Sequence, residues 1–250
     1  MKNEAQWRPS KFVMRGGRLR ASRDQAQIGV GSRLVGDAMA ACYQQHLPQH
    51  ARGRLVDLGC GRAPLYGAYR PHVDSVTCVD WAKSLHDNPY LDQLVDLNVP
   101  LPFADAVFET VILSDVLEHL AEPQLLWAEI ARILAPGGKV LLNVPFLYRI
   151  HEAPYDYARY TEFALRRFAE RSGLQLLVLE PVGGSIAVFA DMLGKHLEQG
   201  GAVGRLFATG VMAVGDTLMR WGPTRRADRS SAAAFPLGYF LVATRLAATA

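Results

Sequence analysis

The chain has 250 residues, half of them hydrophobic, so it can form one α/β domain with an elaboration or two small domains. Its formal net charge of +3 at pH 7 is too small to indicate a nucleic-acid-binding protein by itself. The three cysteines lie in or beside apolar segments without the spacing of metal ligands. They predict reduced core thiols in a cytoplasmic protein, and no metal site.

The N-terminus is basic and polar. No apolar run follows its first residues, so no signal peptide is expected, and no uninterrupted apolar stretch of about 20 residues predicts a spanning helix. Residues 1–31 form a basic N-terminal arm with four closely spaced arginines. This composition fits either a mobile tail or an arm that folds over a cofactor or an anionic substrate.

A helix from Ser32 to about Gln49 precedes a regular alternation of strands and helices, which predicts a doubly wound α/β sheet with helices on both faces. The predicted strands cover 54–58, 75–80, 93–96, 107–113, 138–144, 174–179 and 235–244. The later helices are predicted at 63–70, 83–87, 122–135 and 161–172. The core domain therefore covers 32–182, and the last strand returns to it within 231–250.

Residues 183–230 lie between the last two predicted strands, where a hairpin would need only a few residues. Apolar residues at helical spacing predict two helices here, although several glycines weaken them. We interpret the insertion as a cap over a substrate pocket or as an oligomer contact, such as a homodimer. Because arginines follow it, contact with a membrane surface is a further alternative.

A glycine turn follows the first core strand. Gly59 and Gly61 allow the backbone to approach a ligand closely, and Asp80, at the tip of the next strand, can accept hydrogen bonds from ribose hydroxyls. Asp57 would repel a pyrophosphate but attract a cation, and the turn lacks the third glycine of the dinucleotide fingerprint. The pattern favours a positively charged nucleoside cofactor over a nicotinamide dinucleotide. An ordinary strand–turn–helix is the alternative.

Five motifs in order resemble the class I S-adenosylmethionine-dependent methyltransferases, in particular the type 11-like small-molecule group, over about residues 54–181. They are Val56-Asp-Leu-Gly-Cys-Gly61, Val79-Asp80, Leu101-Pro-Phe-Ala-Asp-Ala-Val-Phe108, Asp115-Val-Leu-Glu-His119 and Leu134-Ala-Pro-Gly-Gly138. Ala63 stands where many members have a third glycine. The resemblance implies a Rossmann-like, seven-stranded sheet with an antiparallel last strand, and S-adenosylmethionine as the cofactor.

The resemblance also implies which residues meet the cofactor. Gly59 and Gly61 would lie near its methionine and ribose parts, Asp80 would hold the ribose, and Trp81 would flank the adenine. The remaining predicted cofactor residues are Asp96 and Leu97 at the adenine edge, Ser114 near the methionine amino group, and Asp57, which acts through water or fixes the loop.

Two histidines just past strand ends are candidates for a general base. A hydroxyl does not lose its proton easily near pH 7, and histidine titrates in that range. His119 follows the fourth core strand, and His151, with Glu152 beside it, follows the fifth. Because ligands gather at the carboxyl ends of parallel strands, both could reach the pocket. For His119 the alternative is that it only orients Glu118.

The loop from Phe146 to Thr161 is dense in polar and aromatic groups, which favours contact with a methyl acceptor. The predicted acceptor-binding residues are Tyr148, Tyr155, Asp156, Tyr157 and Arg159. Tyrosine rings would line the pocket, and Arg159 would pair with an anionic group. The alternative is a local ion pair between Asp156 and Arg159.

The predicted function is transfer of a methyl group to a hydroxyl of a small molecule or sugar-containing metabolite, such as a glycan or a secondary metabolite. An N-methyltransferase acting on a small amine, a non-catalytic cofactor-binding scaffold and a dehydrogenase are the alternatives. Nucleic acid is not an expected substrate, because Ser114-Asp-Val-Leu stands where adenine methyltransferases carry an Asn/Asp-Pro-Pro-aromatic motif.

Overall fold

A computed structural model describes residues 1–82 and 88–247. The strands of this part of the chain are β1 (Phe12–Arg15), β2 (Arg18–Ala21), β3 (Arg54–Leu58), β4 (Ser75–Asp80), β5 (Gln93–Leu94), β6 (Phe108–Ser114), β7 (Leu134–Pro145), β8 (Leu174–Val182) and β9 (Gly238–Arg245). The α-helices are α1 (Arg33–His50), α2 (Tyr66–Tyr69), α3 (Pro123–Ile133), α4 (Glu162–Arg171), α5 (Ser185–Glu198), α6 (Gly201–Arg220) and α7 (Gly222–Ser231). Short 3-10 helices lie at Glu4–Gln6, Val30–Ser32, Arg70–His72 and Leu117–His119.

Seven strands form the central sheet in the order β5-β4-β3-β6-β7-β9-β8. β3 to β7 pair in parallel, whereas β9 runs antiparallel between β7 and β8. The predicted Rossmann-like sheet with an antiparallel last strand is confirmed. This order brings the carboxyl ends of β3, β4 and β6 together at one edge.

Apolar runs rather than alternating patterns form the central strands, because helices cover both faces of the sheet. In β6, Val111, Ile112 and Leu113 are all fully buried. Val111 and Leu113 belong to the core beneath α3 and α4, while Ile112 belongs to the core beneath α1 and α2. A central strand with two buried faces is therefore the rigid support for the residues at its end.

The segment after β3 is less helical than the sequence predicted. The predicted helix 63–70 is shorter in the structure, because α2 begins only at Tyr66. Gly61 and Ala63 have positive φ angles of 51° and 48°, so the turn after β3 extends further than the proline at position 64 suggested. The predicted helix 83–87 lies outside the described residues.

Five strands also differ from their predicted bounds. β6 covers Phe108–Ser114 instead of 107–113, β8 extends to Val182, and β9 covers Gly238–Arg245 instead of 235–244. β5 covers Gln93–Leu94 instead of 93–96, and β7 begins at Leu134 instead of 138. Leu134 pairs with Phe108, and the register then shifts before Lys139. This irregularity accommodates the Pro-Gly-Gly sequence that was predicted to end the preceding helix.

The N-terminal arm lies against the core. β1 and β2 form an antiparallel hairpin whose Phe12 and Leu19 are buried. The Trp7 indole donates to the Ala63 carbonyl at 3.0 Å, and Lys11 Nζ lies 2.7 Å from Asp115 Oδ2. Of the two alternatives for this segment, the structure shows the arm across the strand ends.

The insertion contains three helices, α5 to α7, where two were predicted. α5 packs on α6 and on the 3-10 helix at Val30–Ser32. The third helix, α7, is formed by the arginine-containing segment.

By length and composition alone, α6 is the one described helix that could cross a membrane, with a mean hydropathy of 1.2 and only 22% of its apolar window buried. The search for an uninterrupted apolar run missed it because Arg205 and Asp216 divide its sequence.

Candidate active site

A cavity of about 460 Å³ opens where β3, β4 and β6 end. All eight residues predicted to meet a cofactor line it: Asp57, Gly59, Gly61, Asp80, Trp81, Asp96, Leu97 and Ser114. They come from four separate stretches of sequence and meet because parallel strands end at the same edge of the sheet.

The glycine turn forms the floor of this cavity. Gly59 has a φ angle of 70°, and a β-carbon there would lie 2.6 Å from Val116 Cγ2. A side chain at Gly59 would therefore both strain the backbone and fill space at the edge of the cavity. The Gly59 N–H donates to the Val79 carbonyl at 2.9 Å, which ties the turn to β4.

Asp80 joins the end of β4 to the glycine turn. Its Oδ2 accepts from the Gly61 N–H at 3.1 Å, and its Oδ1 accepts from the Trp81 N–H at 2.8 Å. These bonds fix the direction of the carboxylate at the cavity wall. The geometry suits an acceptor of hydrogen bonds from a diol such as a ribose.

Asp57 lies beneath the turn. It is only 3% exposed, and the Tyr69 hydroxyl donates to its Oδ2 at 3.0 Å. Burial raises the pKa of Asp57 to about 7, against the lowering effect of the Tyr69 hydrogen bond and with a further contribution from Asp80. Asp57 is thus partly neutral near pH 7, and its hydrogen bond joins the end of β3 to α2.

The pKa of Asp57 predicts a pH-dependent gain in stability for Asp57→Asn. A carboxyl group whose pKa is higher in the folded state stabilises the fold below its unfolded pKa, and this contribution is lost as the pH rises through about 7. At pH 8 the variant should therefore be more stable than wild type by roughly 2–4 kcal/mol, and the gain should shrink towards pH 4. Denaturant unfolding without ligand measures this difference in the free energy of unfolding.

Asp74→Asn, which changes an exposed aspartate just before β4, is the control. An equal gain at pH 4 and pH 8 in Asp57→Asn would contradict the raised pKa of Asp57.

A further part of the cavity wall is formed by the loops that follow β5 and β7. Leu97 is buried, and Asp96 Oδ1 accepts from the Asn98 N–H at 2.9 Å. The Trp81 and Tyr155 rings meet edge to face with their centroids 4.8 Å apart. Tyr155 belongs to the loop after β7, so this loop closes over the side of the cavity where Trp81 lies.

A chain of polar contacts at the end of β6 was missing from the sequence prediction. The buried Tyr43 hydroxyl donates to Asn143 Oδ1 at 2.7 Å, and Asn143 Nδ2 donates to Asp115 Oδ1 at 2.5 Å. Lys11 completes the chain at Asp115 Oδ2. A polar residue ending an apolar strand was the available signal for Asn143, whereas nothing in the sequence marked Lys11.

The two candidate histidines meet at a buried carboxylate. Glu118 Oε1 lies 3.7 Å from His119 Nε2 and 3.7 Å from His151 Nε2. His119 and Glu152 line the main cavity, while His151, Glu152 and Tyr148 line an adjoining cavity of about 190 Å³. The structure thus brings the predicted catalytic residues together between two cavities.

Burial determines the charges of this cluster. Glu118 has no exposed surface, and burial raises its pKa. Burial by itself would lower the pKa of His151, but the Glu118 and Asp156 carboxylates raise it above its ordinary value. The Glu118 carboxyl group and the His151 imidazole therefore both retain a proton to higher pH than their free forms do.

The predicted acceptor-binding residues divide into two sets. Tyr155 lines the main cavity and Tyr148 the smaller one. Arg159 instead donates to Asp156 at 2.7 Å and lowers the pKa of that carboxyl, and Tyr157 is 54% exposed. Asp156, Tyr157 and Arg159 line neither cavity, so the local ion pair that was the alternative is present.

Comparison with known proteins gives a consistent result. Residues 56–142 match the family model described as "Methyltransferase domain". The ubiquinone biosynthesis O-methyltransferase of Coxiella burnetii (strain RSA 493 / Nine Mile phase I) is 30% identical in an alignment of 149 positions that covers 49% of this chain and 64% of that protein. The malonyl-[acyl-carrier protein] O-methyltransferase of Erwinia pyrifoliae is 28% identical in an alignment of 169 positions that covers 60% of this chain and 63% of that protein. The chain therefore spans just under two thirds of the length of these curated relatives.

The fold agrees with that of a solved S-adenosylmethionine-dependent methyltransferase from Mesorhizobium loti, with a TM-score of 0.56 over 85% of this chain and 100% of that one, at 16% identity. S-adenosylmethionine is the cofactor of the family, and the cavity fits it: an open glycine turn and a carboxylate fixed at a strand tip face an apolar wall. Together, the matched methyltransferase domain at residues 56–142, the relatives and the sheet topology support a class I S-adenosylmethionine-dependent methyltransferase.

Proposed function

We propose that the protein transfers a methyl group from S-adenosylmethionine to a hydroxyl of a small molecule, with sugar-containing metabolites as one candidate class. The observation that carries this proposal is the contact of His119 and His151 with buried Glu118, directly beside the cofactor cavity. The names of the two curated relatives, both O-methyltransferases, support oxygen as the acceptor atom.

The residues of the chain have three tasks in this proposal. Bound S-adenosylmethionine supplies an already activated methyl group, so the protein mainly aligns the reactants and excludes water. Asp80 and the glycine turn orient the cofactor, and the Trp81–Tyr155 contact closes one wall. The histidine cluster accepts the hydroxyl proton as the new bond forms.

The acceptor position in this proposal is the smaller cavity. It shares Lys11, Asp115 and Glu152 with the main cavity, so the two spaces adjoin. Its volume of about 190 Å³ suits a small molecule or one end of a larger one. His151 and Tyr148 would meet a hydroxyl there.

An assay of S-adenosylhomocysteine release against a panel of hydroxylated and amine acceptors tests the function. We expect turnover with a hydroxylated compound and its loss on changing the histidines. Turnover only with amines, undiminished in both histidine variants, would support N-methylation, because a neutral amine needs less help from a base. Cofactor binding without turnover on any acceptor would support the scaffold alternative.

We further infer that the insertion lies on an anionic membrane surface. Phe189 of α5 and Val203, Leu206 and Phe207 of α6 are 61–73% exposed, which is an unusual apolar face for a protein in water. α6 and α7 also carry exposed arginines, which would complement anionic lipid head groups.

Vesicle sedimentation tests this contact. The protein should bind vesicles containing phosphatidylglycerol more strongly than phosphatidylcholine vesicles. Combining Leu206→Glu with Phe207→Glu should reduce binding at least about tenfold, because two apolar side chains that would be buried in the lipid are lost. Phe163→Glu, at an exposed apolar residue of α4, is the matched control. Equal binding of both variants would exclude this face, and concentration-dependent dimerisation abolished by the α6 changes would assign it to a second copy.

A further inference from the structure

Three potential metal ligands converge beside the cofactor cavity. One ligand atom from each of Glu118, His119 and His151 lies within 4.8 Å of the others. The Glu118 oxygen is 3.7 Å from the Nε2 atom of each histidine. Two imidazole nitrogens and one carboxylate oxygen thus face a common point.

The carboxylate of Glu118 is buried without a hydrogen bond from the described part of the chain, which indicates a further ligand. Its side chain is completely buried, and neither carboxylate oxygen has a hydrogen-bond partner among the described residues. A buried carboxylate in this condition is costly unless it is paired with a charge or coordinates a metal ion.

Each histidine has an oxygen atom behind its outer nitrogen, but only His119 forms a hydrogen bond there. His119 Nδ1 lies 2.9 Å from the Tyr155 carbonyl oxygen, which can only accept, so this contact places the proton on Nδ1 and the lone pair on Nε2. His151 Nδ1 lies 3.2 Å from Asp156 Oδ2 without hydrogen-bond geometry, and Arg159 donates to that carboxylate. Metal-binding histidines are usually oriented in this manner by a carbonyl or carboxylate behind the ring.

We propose that Glu118, His119 and His151 bind a divalent transition-metal ion of the series from Mn²⁺ to Zn²⁺. Two nitrogen ligands favour these ions over Ca²⁺ and Mg²⁺, which prefer oxygen. Ligand atoms around such an ion are roughly 3.0–3.5 Å apart, so the side chains must converge by about 1 Å. This proposal departs from the expectation of no metal site drawn from the sequence, where the ligands are separated because they follow two different strands.

The ion would lie where the proposed reaction needs it. His119 and Glu152 both line the main cavity, and Glu152 Oε2 is 3.9 Å from His119 Nε2. A divalent ion there lowers the pKa of a bound hydroxyl group, which is the task given above to the histidine cluster. This use rests on the proposed function, whereas metal binding itself does not.

Titration of the chelator-treated full chain with Co²⁺ tests the site, with visible absorption and calorimetry as readouts. We expect one equivalent to bind, and Glu118→Gln and His151→Ala to weaken binding at least about 100-fold, because each removes a ligand. Asp156→Asn should weaken it about tenfold as the partner behind His151. His72→Ala, a histidine just before β4, is the control and should bind as wild type does.

Two results would overturn the site: folded wild type that binds none of Co²⁺, Mn²⁺ or Zn²⁺ at about 1 mM, or unchanged affinity in Glu118→Gln. The second would move the ion elsewhere, and the first would leave Glu118 paired with a protonated histidine. Circular dichroism confirms that each variant is folded. Titration with S-adenosylmethionine on the same samples separates the two proposals, because cofactor binding without Co²⁺ binding overturns only the metal site.

Discussion

Asp80→Ala is expected to weaken S-adenosylmethionine binding by about 10- to 100-fold, since a hydrogen bond to a charged group contributes roughly 1.5–3 kcal/mol. The substitution removes the proposed ribose acceptor. It also removes the acceptor for the Gly61 N–H, which fixes the glycine turn. Both effects act on the free energy of cofactor binding, and isothermal titration calorimetry measures it directly.

Asp74→Ala provides the matched control for this experiment. It removes an exposed aspartate just before β4, whereas Asp80 ends the same strand at the cavity. The control should bind S-adenosylmethionine with wild-type affinity. Unchanged affinity in Asp80→Ala would show that the ribose does not lie at the tip of β4.

His151→Ala should lower turnover by roughly 100-fold or more, while S-adenosylmethionine affinity stays near normal. His151 lines the smaller cavity, and none of the eight predicted cofactor residues lines that cavity. The loss should therefore appear in the methyl-transfer step. Single-turnover kinetics at saturating cofactor measure that step.

The pH profile gives a second readout for His151. The neighbouring carboxylates raise its pKa, so the neutral imidazole that can accept a proton forms at a higher pH than in a free histidine. In chelator-treated protein, where no ion occupies the imidazole, wild-type turnover should rise through this pKa, and the rise should vanish in His151→Ala. His72→Ala should keep the wild-type profile; full turnover in the His151 variant would remove this residue from the reaction.

Local sequence was sufficient to predict residues that line the main cavity together. An apolar strand, a glycine turn and an acidic residue at the next strand tip are short-range patterns, and β-sheet geometry then brings their ends together. For this reason the predicted residues from Asp57 to Ser114 all line one cavity.

The acceptor side was harder to predict because its contacts join distant segments. Lys11 reaches Asp115 across 104 positions, and composition gave no reason to pair them. The role of Arg159 was difficult to predict for a different reason. From the sequence alone, Arg159 could pair either with an anionic ligand or with Asp156, three residues earlier. In the structure it pairs with Asp156, which is buried beside His151.

Glu198, at the end of α5, accepts from the Val30 N–H at 2.7 Å and from the Gly31 N–H at 3.1 Å. Gly31 also abuts the α5 backbone so closely that a β-carbon there would lie 2.6 Å from Lys195 N. The preceding residues, Ala26 and Gln27, form part of the cavity wall. The insertion and that wall are thus joined, so a movement of α5 would be transmitted to the cavity through residues 26–31.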